Sequence, residues 1–389
     1  METEFRRLSI VLTLTALLTL DVQLSTVSAQ GSLNPPGGPG PTMKTLDQVE
    51  ARAMITNTLG LVTLSQPGSY YLTHNLNVSA GDAIDITASN VTLDLNGFTI
   101  SSSATAANGA GIMLGSGLVN ITIHHGNVAG SVTNNGGIYS GGGFAFGISY
   151  SGNVSRNVRV ADVSVSGCLD DGINLSASTS STVESCAIDR VGGNGIVANL
   201  VANSVANTCG VNGIYAGNAL NSSGAAISSG YGLYATSAEN CNGSSASGTG
   251  LYTYKDASNC SGSSNTGTGL TVNNSALNCS GSSGSGTGLY SYDSTLNCYG
   301  QSSGGNGITG SICQNSYGFS FGSTGTGLQC QFAQSCYGAT TGGTALSAYA
   351  AINSYGFNNS NVGTGLSATY ANFCFGYPNV VATVKYNMP

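Results

Sequence analysis

The chain has 389 residues, of which 58 are Gly, and carries 9 Lys+Arg against 16 Asp+Glu for a formal net charge of −7. With 40% of residues apolar and 6% charged, it lacks the composition of a disordered tail, in which low hydrophobicity accompanies high charge. Seven prolines without a Gly-X-Y period exclude collagen, and a sequence pI near 4.7 excludes a basic nucleic-acid surface.

Residues 1–29 read as a secretory signal: Arg6 and Arg7 precede an apolar run from Leu8 to Leu20, and Val27-Ser28-Ala29 supplies a small-residue cleavage site before Gln30. That run is too short for an anchor, and no later run is long enough to span a bilayer. The mature protein is therefore expected to be secreted, in the periplasm, at the cell surface or outside the cell, with no membrane span. Residues 30–42, with Pro35, Pro36, Pro39 and Pro41, form a stiff Gly/Pro-rich linker. Residues 43–80 are assigned to an N-terminal cap. It opens with a short amphipathic helix, since Leu46, Val49, Ala53 and Met54 fall at three- and four-residue spacing between Met43 and Ile55.

From 81 to 194, short runs alternate apolar with polar residues: Ala83-Ile84-Asp85-Ile86, Val91-Thr92-Leu93-Asp94-Leu95, Gly111-Ile112-Met113-Leu114, Ile121-Thr122-Ile123, Val158-Arg159-Val160 and Val163-Ser164-Val165. Alternation of this kind predicts strands with one buried face. A Gly-Ile pair recurs at Gly147, Gly172 and Gly195, which sets coils of about 22–26 residues.

Between 195 and 376 the repeat becomes regular. Gly-Ile, Gly-Leu or Ala-Leu pairs begin at Gly195, Gly213, Gly232, Gly250, Gly269, Gly288, Gly307, Gly327, Ala345 and Gly365, a step of about 19 residues. A second register of Cys or Ser runs through Ser204, Ser222, Cys241, Cys260, Cys279, Cys298, Ser316, Cys336, Ser354 and Cys374, and a third, of glycine from Gly224 to Gly376, follows two residues later. Helical repeats are longer and tolerate little glycine, which leaves a β-solenoid whose coils stack about 4.8 Å apart. Residues 377–389 are assigned to a C-terminal tail.

The stretch from Gly68-Ser69-Tyr70-Tyr71-Leu72 through Val91-Thr92-Leu93-Asp94-Leu95-Asn96-Gly97-Phe98, followed by the Gly172-Ile173 and Gly195-Ile196 coils, resembles secreted bacterial parallel β-helix repeat proteins, the superfold shared with pectate lyases. The resemblance implies an all-β, right-handed parallel β-helix; the spacing of the Gly-Ile and Gly-Leu pairs indicates coils that taper to about 19 residues, and the helix of the cap is expected to cover the open end. A left-handed β-helix of about 18 residues per coil is the alternative for the later array, although no hexapeptide pattern is present.

Stacking turns each recurrent residue into a ladder. Asn203, Asn221, Asn240, Asn259, Asn278, Asn297, Asn315 and Asn353 precede the Cys/Ser register and are expected to bond amide to amide at a turn. The eleven cysteines read as buried free thiols, because parallel Cβ vectors suit a disulfide poorly. Tyr299, Tyr317, Tyr337, Tyr355 and Phe375 follow Cys or Ser and form an outward aromatic row, the candidate surface for a polysaccharide or cell-surface glycan. Tyr252, Tyr254, Tyr290 and Tyr292 form a second, interrupted group. A threonine row, Thr249, Thr268, Thr287, Thr326, Thr344 and Thr364, raises ice binding as a minor alternative.

Chemistry has little material. Between Val191 and Gly376 the charged residues are Glu239, Lys255, Asp256 and Asp293. Acid and base candidates stand earlier, with Asp170, Asp171, Asp189 and Arg190 as catalytic candidates for a polysaccharide lyase or glycoside hydrolase on the long coils. Asp170-Asp171-Gly172 resembles the aspartate pair of β-helix polygalacturonases, but their Gly-His-Gly and Arg-Ile-Lys elements are missing. His124-His125 reads as a turn, no Cys-x-x-Cys or spaced His pair is present, and neither a metal nor a cofactor is expected. The sequence points to an exported, non-enzymatic solenoid, a structural, adhesion or glycan-binding scaffold capable of end-to-end self-association, with the lyase or hydrolase as the alternative.

Overall fold

The computed structural model describes residues 51–388 except 57, 58, 178, 179 and 361. The leader, the linker and most of the expected helix lie outside those residues. The described chain is an all-β parallel β-solenoid of about 17 turns. Each regular coil contributes three short strands, as in Leu270–Val272, Ser275–Leu277 and Ser280–Ser283, and each strand pairs in parallel with its equivalents in the coils before and after. The three resulting stacks are termed the first, second and third sheets.

The alternating sequences bury one face of every strand. In the first sheet Ile84, Ile112, Ile148, Ile173, Ile196, Ile214, Leu233, Leu251, Leu270 and Leu289 stand in register, each buried, and Ile308, Leu328, Leu346 and Leu366 continue the column. Burying one such side chain is worth about 1.5–3 kcal/mol, and no single coil can bury its own. The glycine ladders close the coil on its opposite side. A Cβ on Gly262 would overlap the Gly269 carbonyl, and one on Gly269 would overlap the Ser282 backbone. Two backbones touch there, so the third sheet meets the next first-sheet strand only where side chains are absent.

One residue per coil turns the chain from the second sheet into the third in the left-handed conformation. His125, Asp162, Ser185, Asn203, Asn221, Asn240, Asn259, Asn278, Asn297, Asn315, Ser335 and Asn353 occupy this corner with φ between 49° and 59°. Asparagine tolerates that region better than most residues. Its amides also bond rung to rung: Nδ2 of Asn221, Asn240, Asn259, Asn278 and Asn297 each donates to Oδ1 of the preceding asparagine at 3.0–3.2 Å.

The next residue points inward, and its chemistry explains why Cys and Ser alternate. The Cys241, Cys260, Cys279 and Cys298 thiols donate to the carbonyl two residues back at 3.1–3.2 Å, as the Ser204, Ser222, Ser316 and Ser354 hydroxyls do at 2.8–2.9 Å. The same oxygen or sulfur accepts the backbone N–H of the previous rung, as from Cys298 N to Ser316 Oγ and Cys279 N to Cys298 Sγ. All eleven cysteines are buried and free. Burial pushes the Cys168 and Cys336 thiols up to about 12 and that of Cys186 to about 11.

Three features differ from the sequence reading. Ala53–Ile55, placed in the amphipathic helix, is a strand paired with Tyr70–Leu72, because the open edge of Gly68–Leu72 offers backbone partners that an isolated helical turn lacks. Two N-terminal coils exceed 26 residues: the step from Ile84 to Ile112 is 28, and that from Ile112 to Ile148 is 36. The longer coil carries an antiparallel hairpin, Ser131–Asn135 with Ile138–Gly142, whose Tyr139 hydroxyl donates to the Thr208 carbonyl at 2.6 Å. Residues 377–389 contain the strand Val380–Tyr386, which pairs with Thr364–Asn372 as a last rung. Among the described residues no helix is long and apolar enough to cross a membrane.

Gly262→Ala is expected to lower stability by about 1–3 kcal/mol in urea titration, the usual cost of forcing atoms into a filled interior. In the folded protein the eleven thiols should resist a thiol-reactive dye, and all eleven should react once guanidinium unfolds the chain.

Candidate functional site

The aromatic row lies on the outer face of the third sheet. Tyr299, Tyr317, Tyr337, Tyr355 and Phe375 are aligned Cα to Cα in successive rungs. Ring centroids are 6.2 Å apart for Tyr317 and Tyr337, 5.3 Å for Tyr337 and Tyr355, and 5.1 Å for Tyr355 and Phe375. Tyr317 is 53% exposed. A second column, two residues further along each strand, was not singled out from the sequence: Phe319, Phe357 and Tyr377, with Ala339 between the first two. Strand alternation applied to Tyr317-Gly318-Phe319, Tyr355-Gly356-Phe357 and Phe375-Gly376-Tyr377 was the available signal. Because Ala339 stands where neighbouring rungs place phenylalanine, the surface dips into a notch of about 320 Å³ between Phe319 and Phe357, floored by Ala339 and flanked by Tyr337.

A second aromatic surface faces outward from the first sheet. Tyr215, Tyr234 and Tyr252 stack nearly parallel, with centroids 4.6 and 5.1 Å apart and interplanar angles of 4°. Tyr215 and Tyr234 join Tyr150, Asn174, Asn194 and Asn212 around a groove of about 680 Å³ whose lining carries no charged side chain. Tyr290 packs edge-on to Tyr292, while Tyr254 is exposed. The threonine row sits where the third sheet turns into the first, its carbonyls accepting N–H groups such as those of Gly250 and Gly269.

The carboxylates named from the sequence are engaged in structure. Asp171 accepts from Asn174 Nδ2 at 2.7 Å, from Asn194 N at 2.7 Å and from Asn194 Nδ2 at 2.9 Å, and so heads a polar ladder that continues from Asn212 Nδ2 to Asn194 Oδ1. Asp170 beside it is exposed, and partial desolvation together with the Asp171 charge raises its pKa from the ordinary carboxylate value. Asp189 pairs with the adjacent Arg190 at 2.8 Å, both about half exposed. None of these four residues lines the tyrosine groove.

Sequence reasoning missed one constellation. Strand pairing sets Asp94 beside His124, and His124 beside Ala161 in the following coil. In a continuing strand His124 and His125 would point to opposite faces, but the left-handed corner at His125 (φ 59°) breaks the alternation. Both residues lie within the strand Val119–Ala129 rather than in a turn after Ile121–Ile123, and the corner at His125 is what brings the rings together, edge to face with Nδ1 atoms 2.8 Å apart. Asp94 Oδ1 lies 3.6 Å from each of those nitrogens, and Asp162 Oδ2 lies 3.6 Å from His125 Nε2. Asp94 is 14% exposed; its other oxygen accepts from Arg52 Nη1 at 2.8 Å. Burial holds the His124 pKa below its ordinary value, opposed by the Asp94 charge.

No family model matches the chain, and no curated protein matches its sequence. Among solved structures it is similar to ORF18 of Geobacillus virus E2, at 14% identity and a TM-score of 0.24. The alignment covers 83% of this chain but 53% of that one, about half its length.

Asp171→Ala strips partners from Asn174 and Asn194 and is expected to cost roughly 1–3 kcal/mol of stability. Asp170→Ala, at an exposed carboxylate, should leave the thermal midpoint nearly unchanged, and parallel melts of the two variants check the contrast.

Proposed function

We propose that the protein is an exported, non-enzymatic β-solenoid scaffold that presents aromatic columns to neutral glycans at a surface. The observation that carries this reading is the doubled column of rings on the third sheet, from Tyr299 and Phe319 to Phe375 and Tyr377, on coils almost devoid of charge. The C–H-rich face of a pyranose packs on the electron-rich face of an aromatic ring. Rungs about 4.8 Å apart offer one ring per coil along an extended chain. The hydroxyls and amides beside the rings suit neutral sugars, whereas an acidic polysaccharide would call for basic residues that these coils do not supply. The right-handed coil, the secretory leader and the capping helix belong to the same reading, which derives them from the sequence and its resemblance to secreted β-helix proteins.

The commitment of Asp171 to Asn174 and Asn194, and the pairing of Asp189 with Arg190, favour scaffold over lyase or hydrolase. Both pairs of groups are spent on neighbouring side chains and backbone rather than aimed at a shared cleft. Affinity electrophoresis through gels containing neutral or acidic polysaccharides tests the proposal. Retardation by neutral polymers is expected, reduced at least tenfold in the Tyr317→Ala plus Tyr337→Ala variant. Release of reducing ends or unsaturated products by the unmodified chain would instead establish the enzymatic alternative.

A further inference from the structure

We propose that Asp94, His124 and His125 form a binding site for a divalent first-row transition ion, zinc foremost, at the second-to-third-sheet corner of the N-terminal coils. The donors are Asp94 Oδ1 and the two Nδ1 atoms, a triangle with edges of 2.8, 3.6 and 3.6 Å. Around a tetrahedral zinc ion with bonds of about 2.0–2.1 Å, neighbouring donors stand about 3.3–3.4 Å apart, so the two carboxylate edges are slightly longer and the Nδ1–Nδ1 edge about 0.5 Å shorter than an occupied site requires. A point about 2.05 Å from all three atoms lies about 0.6 Å off their plane, close to the ~0.7 Å of a regular tetrahedron. All three donor atoms lie within 4.8 Å of one another without rearrangement.

The donor set selects the class of ion. Two imidazoles and one carboxylate suit borderline transition ions, whereas calcium and magnesium favour all-oxygen sites. The surroundings resemble the outer support of a metal centre. Asp162 Oδ2 faces His125 Nε2 at 3.6 Å, beyond hydrogen-bond distance, and its charge favours a ring hydrogen on Nε2, which would leave the Nδ1 lone pair for the ion. Arg52 occupies Asp94 Oδ2, and the Asn96 N–H donates to Oδ1 at 2.8 Å, so the carboxylate is held in one orientation. The fourth position opens to solvent beside His125, which is 58% exposed. A proton shared between the two Nδ1 atoms accounts for one edge of the triangle alone. An ion that drew the two Nδ1 atoms apart by about 0.5 Å would hold all three donors, and it would tie two successive coils together with a third behind them.

The site is independent of glycan binding, and so is its test. The folded full-length chain, freed of metal by a chelator and then dialysed, is titrated calorimetrically with zinc chloride, with calcium and magnesium chloride as comparisons. One zinc per chain is expected, at least a hundredfold tighter than either alkaline-earth ion. Cobalt(II) bound in its place should show the intense visible bands of four-coordination. His125→Ala, at an exposed ring, should reduce affinity at least a hundredfold, and Asp162→Asn by about 10–100-fold. Far-UV circular dichroism of each variant verifies the fold, and Asp94→Asn provides a second removal of a donor should His125→Ala unfold. Absence of zinc binding overturns the proposal. So does binding that survives both His125→Ala and Asp94→Asn, whichever residues, buried thiols included, then hold the ion.

Discussion

In a parallel stack held in register, each side chain stands about 4.8 Å above its counterpart in the coil below, so a residue's nearest neighbours are largely copies of itself. That constraint decides which residues each position accepts. A charged column would repel itself at every rung, and the regular array from Gly195 onward is correspondingly almost free of charge. Asparagine, which donates and accepts through one amide, satisfies itself from rung to rung, as the series from Asn203 to Asn297 does. Serine and cysteine interchange at the following position because both fill a small inward space, donate to a carbonyl and accept from the preceding coil.

The same constraint separates the halves of the molecule. Where coils repeat closely, a side chain meets others like it, and acid, base and metal ligand are hard to assemble from unlike partners. Where coils differ in length and sequence, unlike groups are stacked. Asp94, His124, His125 and Asp162 come from three successive coils of this irregular kind, and their convergence needs both the register and the corner. Asp171 shows the other use of a lone carboxylate: it heads a ladder of amides and supplies acceptors that a further asparagine would supply less strongly.

Residues whose role repeats were legible in the sequence. The Gly-Ile and Gly-Leu pairs, the Asn corner, the inward Cys/Ser position and the outward row from Tyr299 to Phe375 each follow from periodicity and strand alternation. Residues whose role arises once were not. The spacing of Ala53 and Met54 suits a helix and a three-residue strand equally, and the available sheet edge decides between them. The hairpin from Ser131 to Gly142 inflates one coil without changing the strand-start pattern. The His124–Asp94 proximity depends on a register across about thirty residues that no local pattern encodes. Phe319 and Phe357 are different, since alternation from Tyr317 and Tyr355 already placed them on the outer face.

A repeating outer face also limits the kind of recognition it can achieve. One exposed tyrosine contributes little affinity, but a ring in each of several consecutive rungs contributes many equivalent contacts, and a polymer bound at one rung meets the next at high effective concentration. If the proposed glycan binding takes place, it would tolerate sliding by one coil, because neighbouring rungs are nearly the same. Ala339 interrupts that equivalence between Phe319 and Phe357. On the proposed glycan-binding reading, the notch it leaves would be a place along the third-sheet column where one register of a bound chain differs in energy from the next, so specificity on this face would follow from the break in the repeat rather than from the repeat itself.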